Sequence, residues 1–307
     1  MELEKIAYGM YIQEASQKFL EWTSSQLGKP TQYQHDRNLN LFCLYFHNRK
    51  IESITINDIS VYINELLRFG WQKQTVSHKC STLRMFFRFL KLQGERVINY
   101  ELIPVIKPDL KLPRVADFKK YKMLMDFIPD NGDPRHIRNK AMISMLWDTG
   151  MRCGELVSLN VSDLDLKSRK AKIRTEKSRR RPFRDIFWQI HGSHPYLLEW
   201  LKRRESFEYK IIDKDALFIS ISASNVGHRL TNKAVNAFFR GYSERMGVPT
   251  INAHSFRHGF AHEIIKHGGS NADIVNLLGH ADVKSTSIYT MMFGTEAEER
   301  YRKLKGR

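Results

Sequence analysis

The chain has 307 residues, of which 42% are hydrophobic and 27% are charged. Because single hydrophobic cores rarely grow beyond roughly 250 residues, this length predicts two domains. The 50 Lys and Arg residues exceed the 33 Asp and Glu residues, and the net charge of +17 indicates a polyanionic partner, with nucleic acid as the leading candidate. An anionic membrane surface would also attract this charge. The chain, however, has no apolar run of about 18 residues and no basic, acid-free amphipathic helix, so membrane binding is the weaker alternative.

The three cysteines, Cys43, Cys80 and Cys153, are far apart and form no C-x-x-C pair. This spacing argues against a disulfide framework and against a thiolate zinc site, and it is typical of a reducing compartment. The N-terminus also lacks the basic start and apolar core of a signal peptide. We therefore expect a cytoplasmic protein, associated with the nucleoid through its DNA.

The first hundred residues predict short helices. One helix spans about residues 57–70, with apolar residues on one face and Gly70 as its stop. The next, from Thr75 to Gly94, has one apolar stripe and a second stripe of hydroxyl and basic side chains. This second stripe predicts that three cations, Arg84, Arg88 and Lys91, contact DNA phosphates. For this helix taken by itself, a solvent-exposed polar face is an equally good explanation of the stripe.

The pattern breaks after residue 102, where three prolines fall within ten residues between lysines. Such a segment disfavours helix and predicts an extended, positively charged linker. The predicted organisation is a helical DNA-binding domain over residues 1–102, a linker over 103–117 and a catalytic domain over 118–307.

The second domain is predicted to be mainly helical with one small antiparallel hairpin. A helix from Arg138 to Trp147 ends at the turn Asp148–Gly150, and a second helix starts near Arg152. Residues 167–174 and 181–188 predict the two strands of the hairpin. The remaining predicted helices cover about residues 195–208, 232–246, 254–267 and 270–278, with a short piece around Tyr289.

A group of residues suited to bind a phosphate is spread along this domain. His254 and Arg257 lie three residues apart at the start of a helix that Asn252 is placed to cap, so the helix dipole and both side chains favour one anion. Arg152 adds a second guanidinium fork beside the Gly150 turn. Two arginines with histidine donors are able to neutralise the charge that develops on a phosphate in the transition state, and no carboxylate cluster for a metal accompanies them.

Tyr289 is the predicted nucleophile, since a phenol forms a phosphoester and later leaves it more easily than a sugar hydroxyl does. The departing 5′-oxygen requires a general acid, and we assign Lys177 in the hairpin turn because lysine gives up a proton where arginine does not. The neighbouring cations are predicted phosphate contacts: Arg179, Arg180, Arg181 and Arg184. A zinc site is disfavoured because His262 and His267 are five residues apart, which turns the second ring away.

Together these motifs resemble the tyrosine recombinase (phage integrase, Xer-like) family. The resemblance rests on Thr149-Gly150-Met151-Arg152 with Glu155, on His254-x-x-Arg257, on Leu278-Gly279-His280, and on Tyr289 nine residues after that histidine. It implies that Arg152, Lys177, His254, Arg257, His280 and Tyr289 are catalytic and that Glu155 is a supporting acid. Many family members carry the lysine in a Gly-Lys-Gly turn, whereas this chain has Thr-Glu-Lys-Ser.

The resemblance also implies the architecture and the partners. It predicts an all-helical SAM-like core-binding domain, an α+β catalytic domain, and a C-terminal exchange helix after Gly294 that docks on a neighbouring protomer. Double-stranded DNA would be cut through a 3′-phosphotyrosyl intermediate within a tetramer on two sites, without metal, cofactor or ATP. Accessory proteins are candidate further partners. The alternatives are a type IB topoisomerase and a catalytically silent DNA-binding protein.

Overall fold

The computed structural model describes residues 9–109, 114–175, 182–189, 191–206 and 211–279. The chain divides into two compact units, residues 1–111 and 112–307, which we call the N-terminal and C-terminal units. The described helices and strands confirm a mainly α protein with one small antiparallel sheet. The predicted domain limits at residues 102 and 118 stay predictions.

Over residues 9–109, the N-terminal unit has four α-helices: α1 (Ile12–Ser24), α2 (Lys29–Tyr45), α3 (Ile56–Arg68) and α4 (Lys73–Leu92). A capping box between Thr55 and Asp58 starts α3, because each residue satisfies a backbone N–H of the other. Helix α4 contacts the other three helices, and its apolar stripe fills a core rich in aromatic rings. Edge-to-face contacts of Phe19 with Phe86 and of Phe42 with Phe87 hold this core together.

The basic stripe of α4 contacts the end of its own unit. Nη1 of Arg84 donates hydrogen bonds to the carbonyls of Ile103 (3.2 Å) and Pro104 (2.9 Å). The ammonium of Lys91 lies 5.8 Å from the centre of the Tyr100 ring, and Arg88 is exposed. Two of the three cations thus anchor residues 100–104, and the DNA contacts predicted for all three remain predictions.

The segment predicted as a linker is anchored at both ends. Ile103 is buried in the N-terminal core, and Lys73 forms an ion pair with Asp109 at 2.8 Å. Ala116 is buried in the C-terminal unit, where its N–H donates to the carbonyl of Ser255 at 2.9 Å. The nearest buried hydrophobic residues on the two sides of positions 110–113, Ile103 and Ala116, therefore belong to the cores of different units.

The C-terminal unit is built around α6 and one sheet. Its described elements are α5 (Phe118–Phe127), α6 (Pro134–Thr149), α7 (Cys153–Ser158), β1 (Leu164–Asp165), β2 (Lys170–Arg174), β3 (Phe183–Phe187), α8 (Ser193–Glu205), α9 (Asn232–Arg245), α10 (Ala253–Lys266) and α11 (Asn271–Leu278). Helix α6 is buried along most of its length and contacts α5, α7, α8 and α10. It is the central helix of this unit.

The sheet has the order β1-β2-β3, with both pairs antiparallel. The strand predicted from residue 167 begins only at Lys170, because residues 166–169 form the turn that joins β2 to the short strand β1, with Arg169 in the left-handed region at φ 50°. Buried and exposed residues alternate along β2 and β3. Ile173 pairs with Arg184 and Ala171 pairs with Ile186, so all four side chains lie on the buried face.

Candidate active site

Arg152 lies at the sharp turn between α6 and α7. Helix α6 ends at Gly150, whose φ of 57° is in the left-handed region that glycine adopts without strain. Arg152 is the N-cap residue of α7, and its N–H donates to Oε2 of Glu155 at 2.8 Å. Its Nη1 also donates to Oε1 of the same carboxylate at 2.9 Å. The side chain of Arg152 is 23% exposed, so Glu155 orients a guanidinium that solvent still reaches.

Glu155 is a fully buried carboxylate held between two arginines. In addition to Arg152, Nη2 of Arg184 donates to its Oε2 at 2.7 Å. Burial raises the pKa of Glu155, but the charge of Arg184, the backbone hydrogen bond from Arg152 and the charges of Arg152 and Arg257 together hold it below its ordinary value of 4.5. The carboxylate is therefore ionised at neutral pH.

Arg257 links three separate parts of the unit. It is buried in α10 with 1% of its surface exposed. Its Nη1 donates to the carbonyl of Gly150 at 2.9 Å, and its Nη2 donates to the carbonyl of Leu278 at 2.7 Å. The turn that carries Arg152, the start of α10 and the end of α11 are thus joined through one guanidinium.

His254 lies one turn before Arg257, at the N-terminus of α10. The side chain of Asn252 accepts a hydrogen bond from the N–H of Ser255 at 2.9 Å, which confirms the predicted cap. His254 is exposed, whereas Arg257 is buried, and the ring of His254 lies edge-on to that of His258 with 4.6 Å between centroids. Burial, aided by the charges of His254 and Arg257, lowers the pKa of His258 from 6.5 to about 4.

The Leu-Gly-His motif begins at the end of α11. A capping box between Ser270 and Asp273 starts this helix, and Gly279 ends it with a φ of 62°. Nη1 of Arg184 donates to the carbonyl of Leu277 at 2.9 Å. A Cβ atom on Gly279 would lie only 2.7 Å from Cδ of Arg184, so the glycine permits this close approach.

Six of the predicted residues lie outside the described part of the chain: Lys177, Arg179, Arg180, Arg181, His280 and Tyr289. The N–H of Thr175 donates to the carbonyl of Pro182 at 2.8 Å, which closes the base of the segment that contains Lys177. Gly279 directly precedes His280.

The contacts of Arg184 are the feature that reasoning from the sequence missed. It was predicted to contact a DNA phosphate, yet its side chain is only 6% exposed and pairs with Glu155. The alternation of β3 contains the signal, because Arg184 and Ile186 are two residues apart and share the buried face. An arginine on an inward position of a strand predicts an internal acidic partner.

The described residues also bear on a metal site and on a membrane span. No group of three or more His, Cys, Asp or Glu side chains there is arranged to hold a metal ion. Within the same ranges, no helix has the length and apolar character needed to cross a bilayer.

The sequence patterns of two known domains match this chain. The pattern described as the phage integrase family matches residues 114–294, and the pattern of the phage integrase N-terminal SAM-like domain matches residues 17–94. The first of these covers more than half of the chain.

Similar proteins and structures agree with these matches. The chain is 31% identical to tyrosine recombinase XerC of Mannheimia succiniciproducens over 72% of this chain and 71% of the relative. It is 28% identical to tyrosine recombinase XerC of Roseiflexus castenholzii over 82% and 80%. Among solved structures, the Tn1549 transposon integrase in complex with transposon right end DNA shares the fold, with a TM-score of 0.74, 19% identity and coverage of 95% and 99%.

The lambda integrase tetramer bound to a Holliday junction also shares the fold, with a TM-score of 0.72, 17% identity and coverage of 92% of this chain and 78% of the other. Relatives and patterns thus agree across both units, and the buried arginines bring the Arg152, Arg257 and Leu278-Gly279 motifs together. The chain belongs to the phage integrase family and is a tyrosine-type site-specific recombinase.

Proposed function

We propose that this recombinase cuts and rejoins one DNA strand at a time through a covalent bond between Tyr289 and a 3′-phosphate. The observation that supports this site most is the pair of hydrogen bonds from Arg257 to the carbonyls of Gly150 and Leu278. They join the start of α10 to a turn 107 residues before it and to the end of α11, 21 residues after it. The relatives are named as recombinases and integrases, and they give no support to a type IB topoisomerase or to a silent DNA-binding protein.

In this proposal the scissile phosphate lies over the N-terminus of α10. Arg152, oriented by Glu155, neutralises the non-bridging oxygens together with Arg257, whose guanidinium has further N–H donors besides those that bind the neutral carbonyls of Gly150 and Leu278. His254 and His280 donate hydrogen bonds to the same oxygens. The dipole of α10 adds positive potential at the same point. These groups stabilise the extra charge of the transition state more than that of the ground state, which is the requirement for a faster reaction.

The phenol of Tyr289 gives up its proton to solvent as its oxygen forms a bond to phosphorus, and the bond from phosphorus to the 5′-oxygen breaks while that oxygen takes a proton from Lys177. The phosphotyrosyl bond conserves the energy of the cleaved ester, so a 5′-hydroxyl of the same or another strand reverses the reaction. Strand exchange then requires neither ATP nor a ligase.

A nicked suicide substrate tests the nucleophile. After cleavage the short strand diffuses away, so the covalent complex accumulates and is visible as a shifted band on a denaturing gel. We expect this band from the wild type and from Tyr33→Phe, an exposed tyrosine of the N-terminal unit, and no band from Tyr289→Phe. An adduct formed by Tyr289→Phe would assign the reaction to another tyrosine.

A substrate with a 5′-bridging sulfur tests the general acid. A thiolate leaves without being protonated, so cleavage of this substrate needs no proton donor. It still needs groups that stabilise the charge on the phosphate. We expect this substrate to restore cleavage by Lys177→Ala and not by Arg257→Ala. If Lys177→Ala cleaves the normal substrate at the wild-type rate, the acid lies elsewhere in the chain.

The assembly and setting of the reaction are also proposals. We infer a tetramer on two duplex sites in the cytoplasm, supported by a solved structure described as a lambda integrase tetramer bound to a Holliday junction. Residues after Gly294 would contact a neighbouring protomer, and accessory proteins would act at some sites. Deleting residues 295–307 should weaken synapsis of two sites; unchanged recombination would contradict this role.

A further inference from the structure

Arg184 is committed to contacts inside the C-terminal unit. Its side chain is 6% exposed and lies on the buried face of β3, beside Ile186. Nη2 forms an ion pair with Glu155, whose side chain is fully buried. To reach a phosphate, Arg184 would have to leave that carboxylate with one cation fewer, and breaking a buried ion pair is strongly unfavourable.

Three segments of the proposed active site meet at this one guanidinium. Nη2 contacts Glu155, which orients Arg152, while Nη1 contacts the carbonyl of Leu277 at 2.9 Å. The aliphatic part of Arg184 packs against Gly279, the residue before His280. The methyl group of Thr175, two residues before Lys177, lies 3.2 Å from the position of a Cβ on Gly279.

Arg184 also controls how Glu155 holds Arg152. Oε2 of Glu155 accepts from Arg184 and from the Arg152 backbone, so the Arg152 guanidinium contacts the carboxylate at Oε1 through Nη1. Without Arg184, the carboxylate would attract Arg152 more strongly and compete with the phosphate for it. A planar guanidinium donates to two acceptors in different directions, whereas a lysine ammonium at this site would reach only one of them well.

We propose that Arg184 is a positioning residue for the recombinase reaction. It orients Arg152 through Glu155, and it fixes the end of α11, before His280, against Thr175, which precedes the segment that contains Lys177. This inference rests on the proposed function of those residues. Arg184 acts through its neighbours and does not touch the DNA.

The test separates positioning from DNA contact by measuring binding and chemistry independently. Arg184→Gln and Arg184→Lys are compared with Arg174→Gln, which removes a cation from the exposed face of the same hairpin. Duplex affinity is measured by fluorescence anisotropy over a range of salt concentrations. The rate of covalent complex formation is measured on the nicked substrate at saturating DNA.

For Arg184→Gln we expect unchanged affinity, an unchanged salt dependence and a rate of adduct formation lower by on the order of 100-fold, as a displacement of about 1 Å in catalytic groups produces. Arg184→Lys, which keeps the charge beside Glu155, should recover part of the rate. Arg174→Gln should keep the wild-type rate at saturating DNA. The inference would be overturned if Arg184→Gln bound DNA more weakly and its slope of log K against log salt were smaller by about 0.9. That result would mean that Arg184 contacts a phosphate.

A double-mutant cycle covers the case in which Arg184→Gln folds poorly. Glu155→Gln removes the carboxylate charge that Arg184 contacts. If the two residues act together, the double variant Glu155→Gln with Arg184→Lys should lose less rate than the sum of the two single effects. Additive effects, or a wild-type rate for both arginine variants, would overturn the proposal. No adduct from the wild-type protein would instead be a failure of the proposed function, so the two outcomes are distinct.

Discussion

At the scale of single residues, the site depends on charges that are buried and paired inside the protein. Glu155 has the most constrained position, because its two oxygens accept from the Arg152 backbone, the Arg152 side chain and Arg184. Its carboxylate lets two arginines lie close together without net repulsion. On the neighbouring helix α10, the ring of His258 packs against that of His254 and lies near the charge of Arg257, and the lowered pKa of His258 has a measurable consequence.

His258 should make the protein less stable as the pH falls from 6.5 towards 4. Its pKa is about 4 in the folded protein, below the ordinary 6.5, because burial and the charges of His254 and Arg257 disfavour the protonated ring. Within that window the unfolded chain binds more protons than the folded chain, so acidification favours unfolding. Urea unfolding at several pH values between 6.5 and 5 should show a smaller pH dependence for His258→Gln than for the wild type.

The window is chosen to separate this effect from that of the carboxylates. Glu155 has a lowered pKa, so the stability that it contributes is lost only at pH values below its ordinary 4.5. His267→Gln, which changes an exposed histidine at the end of the same helix, is the matched control and should retain the wild-type slope. Equal slopes for His258→Gln and the wild type would refute the assignment.

At the scale of elements, the ends of helices define the site more than their middles do. Helix α6 ends at Gly150, α7 starts at Arg152, α10 starts after Asn252 and α11 ends at Gly279. Helix ends expose backbone N–H and C=O groups, and here the buried arginines satisfy carbonyls at two of them. The turns are therefore part of the binding geometry as well as connections.

Gly150→Ala should destabilise the protein more than Gly247→Ala. Both glycines have left-handed φ values, 57° and 65°, so alanine costs roughly 1–2 kcal/mol at either position. At Gly150 the new Cβ would also lie 2.7 Å from side-chain atoms of Leu278 and Phe260, whereas at Gly247 nothing lies within 4 Å. Overpacking adds about 1–3 kcal/mol to the cost at Gly150 alone.

Urea unfolding of the two variants measures this difference. Because Gly150 also accepts the hydrogen bond from Arg257, its variant should lose adduct formation as well as stability, while Gly247→Ala should retain the wild-type rate. Equal losses of unfolding free energy for the two variants would show that the contact with α10 and α11 is not tight.

At the scale of the whole molecule, the positive charge is concentrated in the unit that contains the catalytic motifs. Residues 1–111 carry 15 Lys and Arg against 11 Asp and Glu, and residues 112–307 carry 35 against 22. The net charges are therefore +4 and +13. The prediction of a polyanionic partner from the total charge thus applies mainly to the C-terminal unit.

Binding to duplex DNA should weaken steeply with salt. A protein that neutralises about six to ten phosphates loses roughly 10³- to 10⁵-fold in affinity between about 50 and 200 mM salt, because bound counterions are released. Fluorescence anisotropy of a labelled duplex should show a decrease in this range. A non-cognate duplex is the control and should show a large salt dependence as well, since phosphates carry no sequence information. Affinity that is insensitive to salt would contradict an electrostatic interface.

The sequence by itself determined the features that depend on residues a few positions apart. The apolar stripe of α4, the Asn252 cap and the predominance of helix follow from local periodicity and capping, and the structure confirms them. Local patterns also indicated Arg152, His254 and Arg257 as a group. They misplaced the start of β2, because the turn before it depends on pairing with a strand of only two residues.

Only the tertiary structure decided which partner each buried charge has. Arg257 donates to carbonyls that are 107 and 21 residues away, and Arg184 pairs with a carboxylate 29 residues away. Sequence periodicity reports which side of an element is buried, but the identity of the neighbour depends on how distant segments pack. For that reason Arg184 looked like a surface cation among basic residues, and its burial against Glu155 emerged only from the folded chain.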